Sequence, residues 1–341
     1  MLVRLVVGAC ATVIAAGCAR GPSTEELERL RAEAVAADGV ATAAHADERA
    51  AEPGQTLTIA GDLDGLGATL AWADLDRMAT THVRTVSPQN PTARAQVIDF
   101  RGVLVRDLLD AYRAAATARE VTLVSLDGFR STVDVAAARR YRVLLAVAAD
   151  GQPIARASGG PIFLVFPHSE APETVTQFPD RYWSFYVTHL IVGTEPARLR
   201  VGQRVFDAAA LAALPTVTRD GPVAWKTHWP ATPVHLRGVE LAAAVRAAGV
   251  ALPAGGRIIV RGKAAIHRDP ADPIEIAVDD LARCGFVLAL RWGADEAPVT
   301  ARLGGPIALA VGPACSARYG DRYWLPFVEE LVVEPGPTEA P

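Results

Sequence analysis

Cysteine is scarce in this chain, and clusters of basic residues are missing from it. Its 341 residues include 4 cysteines, 34 lysines and arginines and 38 acidic residues, which give a formal net charge of −4. No basic run and no stripe of alternating basic and aromatic residues occurs, so we expect no nucleic-acid partner. The chain also has no phosphate loop, no dinucleotide fingerprint and no pair of carboxylates in a recognised arrangement, and the enzyme classes that depend on them are therefore not indicated.

Long hydrophobic runs are absent too, and the apolar run at the N-terminus is short. Residues 5–16 are apolar and follow Arg4, whereas a helix that spans a bilayer needs roughly 20 apolar residues. This pattern predicts a secretory signal over residues 1–18. The letters "AAGC" resemble a bacterial lipobox, which would make Cys18 a lipidated first residue; an ordinary signal peptide with an incidental Cys18 is the alternative. We expect a protein anchored by lipid at the periplasmic face of a bacterial membrane, inner or outer.

Residues 19–54 predict a helical tether and a linker. Ser23 and Glu26 form a capping box before a narrow apolar helical face, and Gly39 ends the helix. The Ala-, Asp- and Glu-rich segment through Gly54 then acts as a spacer from the membrane. A short helix that binds a partner protein is the alternative.

Two cysteines remain in the folded part, Cys284 and Cys315. In an oxidising compartment they can form a disulfide, which by loop entropy would contribute about 3 to 4 kcal/mol. Two buried free thiols are the alternative. Metal binding is not expected, because His228 and His235 do not have a recognised zinc spacing.

The chain repeats its own motifs in order. "DRYWSFYVTHLIV" from Asp180 returns as "DRYWLPFVEELVV" from Asp321, an offset of 141. "FRGVLVRDLL" and "LRGVELAAAV" are offset by 136, and the two "GGPI" segments by 145. Offsets that drift while the order is kept are typical of duplicated domains with loop insertions. We predict two copies, residues 55–197 and residues 198–336, the second more divergent. A groove between them is where a ligand would be expected.

Each copy is predicted to be α+β and rich in strands, with one main amphipathic helix. "EVTLVSLDGFRSTV" predicts a hairpin about Asp127 and Gly128, and Asp150 and Gly151 predict a second turn. "GVLVRDLLDAYRAAA" has the apolar spacing of one helix that includes Val103 and Leu104. "RYWSFYVTHLIVG" predicts a closing strand. Strands and helices do not alternate regularly, which disfavours a doubly wound fold.

Together these motifs are similar to the sulfite-oxidase-like, molybdopterin-binding oxidoreductase domain. The resemblance rests on "LTIAGDL", "THVRTVS", "FRGVLVRDLL", "VLLAVAADGQPI", "GGPIFLVFP" and "RYWSFYVTHLIV", in that order, and is weaker in the second copy. It implies the family's fold and suggests a molybdenum cofactor. In catalytic members a cysteine at the end of the strand that corresponds to "THVRTVS" supplies a thiolate to molybdenum.

The chain departs from that family pattern at the cofactor's own positions. Thr85 and Ser87 stand where the resemblance implies the thiolate. Phe163 and Ala308 replace an arginine that usually comes just after the "GGPL" segment, and Tyr182 and Tyr323 replace a lysine that usually precedes the late tryptophan. The signal has only Arg4 rather than the twin arginines that usually export folded molybdenum enzymes. No bound cofactor and no catalytic residue is therefore expected.

The polar loop at the family's metal position is the candidate ligand pocket. It contains His82, Arg84, Ser87, Gln89 and Asn90. The alternative is a loop whose side chains satisfy its own backbone. We expect a lipid-anchored extracytoplasmic binding or redox-partner module, whose partner is a periplasmic or membrane protein. The alternative function is a periplasmic molybdopterin-dependent oxidoreductase with a ligand other than cysteine.

Overall fold

The computed structural model describes residues 55–87, 96–221, 234–319 and 324–336. Over these residues the protein is rich in strands and its helices are short, so the α+β prediction is confirmed. We call residues 55–197 the first half and residues 198–336 the second half. The described residues of both halves belong to one compact unit, Glu48–Pro341.

The strands of each half are short. In the first half they are β1 (Thr56–Gly61), β2 (Ala68–Ala71), β3 (Thr81–Val86), β4 (Val97–Leu104), β5 (Glu120–Ser125), β6 (Arg130–Asp134), β7 (Leu144–Ala149), β8 (Gln152–Pro153), β9 (Phe163–Val165) and β10 (Val187–Val192). In the second half they are β11 (Arg198–Val201), β12 (Arg204–Asp207), β13 (Thr216–Gly221), β14 (Val234–Glu240), β15 (Arg257–Gly262), β16 (Glu275–Ala277), β17 (Val287–Trp292), β18 (Ala297–Pro298), β19 (Ala308–Ala310) and β20 (Val328–Glu334).

The α-helices within the described residues have four to seven residues each. They are α1 (Trp72–Met78), α2 (Val105–Ala111), α3 (Val135–Arg140), α4 (Thr174–Gln177), α5 (Ala208–Ala212), α6 (Leu241–Ala247), α7 (Leu281–Cys284) and α8 (Ser316–Tyr319). Within the described ranges, no helix has the length and apolarity needed to cross a membrane.

Two sheets build each half, and their strand orders correspond. In the first half the orders are β2-β1-β10-β5-β6 and β3-β4-β7-β8, with β9 also paired to β7. In the second half they are β12-β11-β20-β15-β16 and β13-β14-β17-β18, with β19 also paired to β17. The first and last strands of each half pair in parallel, β1 with β10 and β11 with β20. Each half therefore closes on itself.

Each half also has an apolar core of its own. The largest cluster of the first half runs from Leu57 to Val192, and that of the second half from Leu199 to Leu331. A small cluster joins side chains of both halves: Val124, Ile191, Ala301 and Phe327. Burial of these apolar surfaces is the main force that stabilises the fold.

Corresponding glycines allow close strand contact in the two halves. A Cβ on Gly102 would lie 2.1 Å from the backbone oxygen of Leu145, and a Cβ on Gly238 would lie 1.9 Å from that of Leu288. Only glycine fits where two backbones approach this closely.

The two turn predictions are confirmed. β5 and β6 form an antiparallel hairpin whose pairing begins at Glu120 and Asp134 and ends at the loop that contains Gly128. β7 and β8 form a hairpin in which Asp150 and Gly151 both have positive φ, as the favoured tight turns require.

Two predicted element boundaries were wrong. Val103 and Leu104 belong to β4, because this strand pairs with β7 through Leu104, and helix α2 begins only at Val105. The closing strand starts at Val187 rather than within the preceding aromatic residues. Tyr186 has a φ of 51°, which turns the chain just before β10.

The signal peptide, the tether and Cys18 lie outside the described residues, as do Gln89, Asn90, His228 and Tyr323.

Candidate functional site

The predicted pocket begins on β3, an edge strand that, among the strands described, pairs only with β4. Side chains alternate along a strand. His82 and Arg84 are therefore exposed on one face, whereas Thr85 is fully buried on the other and Ser87 is buried just beyond the strand. The structure thus separates His82 and Arg84 from Ser87.

A loop after β9 covers the free edge of β3. The backbone N–H of Val86 donates to Ser169 Oγ at 3.3 Å, and that of Arg84 donates to Glu170 Oε1 at 3.4 Å. In return the Ser169 N–H donates to Thr85 Oγ1 at 3.3 Å. Two side chains thus satisfy backbone donors that a neighbouring strand would otherwise take.

Arg142 holds this loop against the strand. Its Nη1 donates to Glu170 Oε2 at 2.8 Å, and its Nη2 donates to the carbonyl oxygen of His82 at 2.6 Å. The His82 side chain points elsewhere and lies 3.1 Å from Asp99 Oδ1. The side chains of Arg142, Glu170 and His82 are therefore each occupied by a partner within the protein.

His168 lies buried behind the same loop in a chain of hydrogen bonds. Trp183 Nε1 donates to its Nε2 at 3.1 Å, which places the ring proton on Nδ1. Nδ1 then donates to Thr174 Oγ1 at 2.9 Å, and this hydroxyl donates to the carbonyl oxygen of Ala171 at 2.6 Å. Burial lowers the pKa of His168 below its usual range, although Asp180 acts in the opposite direction. His168 is held neutral and has no free ring nitrogen for proton transfer.

Aromatic side chains fill the interior beside this chain. The ring of Phe163 stacks on Phe185 with centroids 4.6 Å apart and lies 5.6 Å from Trp183. Phe163 stands where the resemblance implies an arginine. It is buried and belongs to this apolar cluster. Tyr182 is half-buried next to it. Ala308, the corresponding residue of the second half, is also buried.

In the second half, His235 lies on β14, the strand that corresponds to β4. Its Nδ1 lies 2.7 Å from Asp220 Oδ1, while Arg237 pairs with Glu296 at 2.6 Å. Among the described residues, no group of three or more His, Cys, Asp or Glu side chains has the arrangement of a metal site.

A disulfide joins Cys284 to Cys315 and closes a loop with a sequence separation of 31. Both residues are buried in the second half. This bond is one of the two states, disulfide or free thiols, that the sequence allows for the pair. These cysteines offer no thiolate to a metal, because both sulfur atoms are already bonded.

Comparisons with known proteins bear on the first half. Residues 54–175 match the family model described as oxidoreductase molybdopterin binding domain. This half thus contains a domain similar to molybdopterin-binding oxidoreductases. No curated protein matches the chain. Among solved structures, it is similar to the crystal structure of the sulfane dehydrogenase SoxCD from Paracoccus pantotrophus, with 13% sequence identity and a TM-score of 0.34. The alignment covers 66% of this chain and 59% of that chain.

The donor set of this molybdopterin-binding-type domain does not fit a molybdenum thiolate site. The matched residues 54–175 contain no cysteine. Thr85 is buried and its hydroxyl accepts a hydrogen bond from Ser169, so it is not directed into an open site. The hydroxyl and imidazole groups described near this position supply no thiolate sulfur, and those of Thr85, Ser169 and His82 already contact other polar groups of the protein.

Proposed function

We propose that the protein is a non-catalytic binding module, anchored by lipid at Cys18 to the periplasmic face of a bacterial membrane. It keeps the fold of a molybdopterin-binding oxidoreductase domain but has lost the molybdenum site, and it acts as a binding or redox-partner module. The partner is a periplasmic or membrane protein. The observation that carries this proposal is the absence of cysteine from the whole matched segment, residues 54–175.

The hydrogen bonds about β3 support the same proposal. A catalytic site keeps donors and acceptors available for a substrate or cofactor. Here Ser169, Glu170 and His168 each bond to the protein itself, at Val86, Arg142 and Trp183. Their role is to close the edge of a sheet and to satisfy buried groups.

Purification from two hosts tests the loss of cofactor binding. One host makes molybdopterin and the other lacks its biosynthesis. A ligand that binds the folded state raises its stability, by about 2.7 kcal/mol at a hundred times its dissociation constant. We expect the same thermal midpoint from both hosts. A higher midpoint from the molybdopterin-producing host would instead favour an oxidoreductase with a ligand other than cysteine.

Lipid labelling tests the anchor separately. Cells fed a radioactive fatty acid should label the wild-type chain but not a Cys18→Ala variant, which should leave the membrane fraction. A Cys10→Ala variant is the control and should be labelled like the wild type. Equal labelling of the Cys18→Ala variant and the wild type would refute the anchor.

A further inference from the structure

A cleft lies between the two halves, away from β3. Its volume is about 370 Å³, within the usual range for a small-molecule site. Residues of the first half and of the second half both line it, and none of residues 82–87 is among them. It is thus separate from the position where the resemblance implies a metal.

Three arginines line this cleft: Arg130, Arg181 and Arg302. Arg130 is only 8% exposed. It bridges the halves, because its Nε donates to the carbonyl oxygen of Arg302 at 3.2 Å. Burial lowers the pKa of Arg130 to about 10, so its guanidinium stays charged at neutral pH. Arg181 and Arg302 are exposed at the cleft.

The carboxylates of the cleft do not balance these cations. Two line it, Glu120 and Asp134. The Arg302 Nε lies 3.9 Å from Glu120 Oε2, which is beyond hydrogen-bond distance. Arg181 forms no ion pair with any residue in the described ranges, and its guanidinium lies 5.6 Å from the ring centroid of Tyr182. The planar donors of Arg181 and Arg302 suit a carboxylate or a phosphate group.

Aromatic side chains form the rest of the wall. Phe129 and Tyr182 of the first half and Trp292 of the second half are half-buried there. Phe129, half-buried in this concave site, offers flat apolar surface to a planar ligand. Because guanidinium groups and aromatic rings occur together, the cleft favours a ligand that has both an acidic group and a ring.

We propose that this cleft binds a small aromatic anion, with its carboxylate or phosphate at Arg181 and Arg302 and its ring against Phe129. The ligand contacts both halves and therefore stabilises their association. This inference rests on the proposed binding role and adds a small-molecule ligand to it.

Titration of the full-length chain in detergent tests the site. The probes are phenyl phosphate, benzyl alcohol as its neutral counterpart, and inorganic phosphate as the head group alone. Isothermal calorimetry or ligand-observed NMR gives each dissociation constant. Phenyl phosphate should bind more tightly than either of the other two probes. Absence of phenyl phosphate binding, or equal binding of either simpler probe, would overturn the proposal.

Substitutions then locate the binding. Arg181→Gln and Arg302→Gln should each raise the dissociation constant for phenyl phosphate by about fivefold to tenfold, as expected for loss of a charge-assisted hydrogen bond. Arg246→Gln is the matched control, because Arg246 is exposed on α6 outside the cleft, and it should leave binding unchanged. Unchanged binding in both cleft variants, or an equal loss in the control, would overturn the assignment.

The same samples separate this inference from the proposed function. Molybdenum in the protein would refute the non-catalytic role and leave the cleft result to be judged by the titration. Failure of phenyl phosphate to bind would refute the cleft and leave the non-catalytic role intact. The thermal midpoints of the variants verify that they are folded.

Discussion

At the scale of single residues, the contacts of His168, Ser169 and Glu170 show that these potentially reactive side chains stabilise the fold. His168, Ser169 and Glu170 are adjacent in sequence, and such a row could suggest acyl transfer. Their side chains bond to three separate partners, Trp183, Val86 and Arg142. A triad needs the base to reach the nucleophile, and these contacts direct the groups elsewhere.

Replacing His168 should therefore cost stability. His168→Ala leaves the buried Nε1–H of Trp183 without an acceptor and opens a cavity, so we expect a loss of about 2 to 4 kcal/mol in unfolding free energy. Urea unfolding measures it. Ser169→Ala, at the more exposed neighbour, should cost under about 1.5 kcal/mol, the net value of one ordinary hydrogen bond. An equal effect of the two substitutions would contradict the buried network.

Two histidines whose pKa values are lowered in the folded state should make the protein acid-sensitive. Burial lowers the pKa values of His189 and His267 to about 4, with Lys263 adding to the effect at His189 and Arg130 at His267. Histidine in the unfolded chain titrates near about 6.5. Between these values the unfolded chain binds more protons than the folded one. The contribution of each histidine to the unfolding free energy is therefore full above about pH 6.5. It falls by about 1.4 kcal/mol for each unit that the pH is lowered from there towards about 4.

Unfolding of a His267→Gln variant isolates one such contribution. When the pH is lowered from 7 to 4, the unfolding free energy of the wild type should fall by about 3 kcal/mol more than that of this variant. A constant difference for His267→Gln across this range would show that His267 titrates alike in the folded and unfolded states.

Residue types alone could predict part of the candidate site. The sequence alone shows that the first half lacks cysteine. It also shows aromatic residues at positions where the family resemblance implies an arginine or a lysine. The separation of His82 from Ser87 follows from strand alternation. The cover of β3 by Ser169 and Glu170 could not be predicted, because these contacts join residues more than 80 positions apart.

At the scale of elements, Gly102 is needed for β4 to pair with β7. A Cβ there would lie 2.1 Å from the Leu145 oxygen, in the strand pair that positions α2. Gly102→Ala should therefore lower the unfolding free energy by about 3 kcal/mol or more. Gly65→Ala is the matched control, because nothing lies within 4 Å of its added Cβ, and it should change stability little. Similar midpoints for the two variants would contradict the close approach.

The disulfide should stabilise the second half. Its loop has a sequence separation of 31, for which loop entropy predicts about 3 to 4 kcal/mol. A Cys284→Ser and Cys315→Ser double variant should unfold at correspondingly lower urea concentration. Reductant should lower the wild-type midpoint to that of the variant and leave the variant unchanged. Insensitivity of the wild type to reductant under unfolding conditions would refute a stabilising bond.

Elements with strong local turn signals were predictable, whereas boundaries set by distant contacts were not. The Asp-Gly turns at Asp127 and Asp150 carry their own conformational preference. The start of α2 depends instead on the pairing of β4 with β7, which a helical apolar spacing does not reveal.

At the scale of the whole molecule, matching strand orders and matching glycines recur in the two halves. The boundary between residues 197 and 198 stays a prediction. A groove between the halves was expected from the repeat, but its arginine and aromatic lining depends on loops and strands of both halves together. Arg130 and Arg302 come within hydrogen-bond distance although 172 positions separate them, a juxtaposition that only the folded chain creates.

Molybdenum content tests the central claim most directly. The full-length protein is purified from its native membrane, and molybdenum is measured by mass spectrometry together with pterin fluorescence after oxidation. Loss of the molybdenum site predicts neither molybdenum nor pterin above the level of a control membrane protein. Stoichiometric molybdenum with pterin would contradict it, and would show that a ligand other than cysteine holds the metal in this fold.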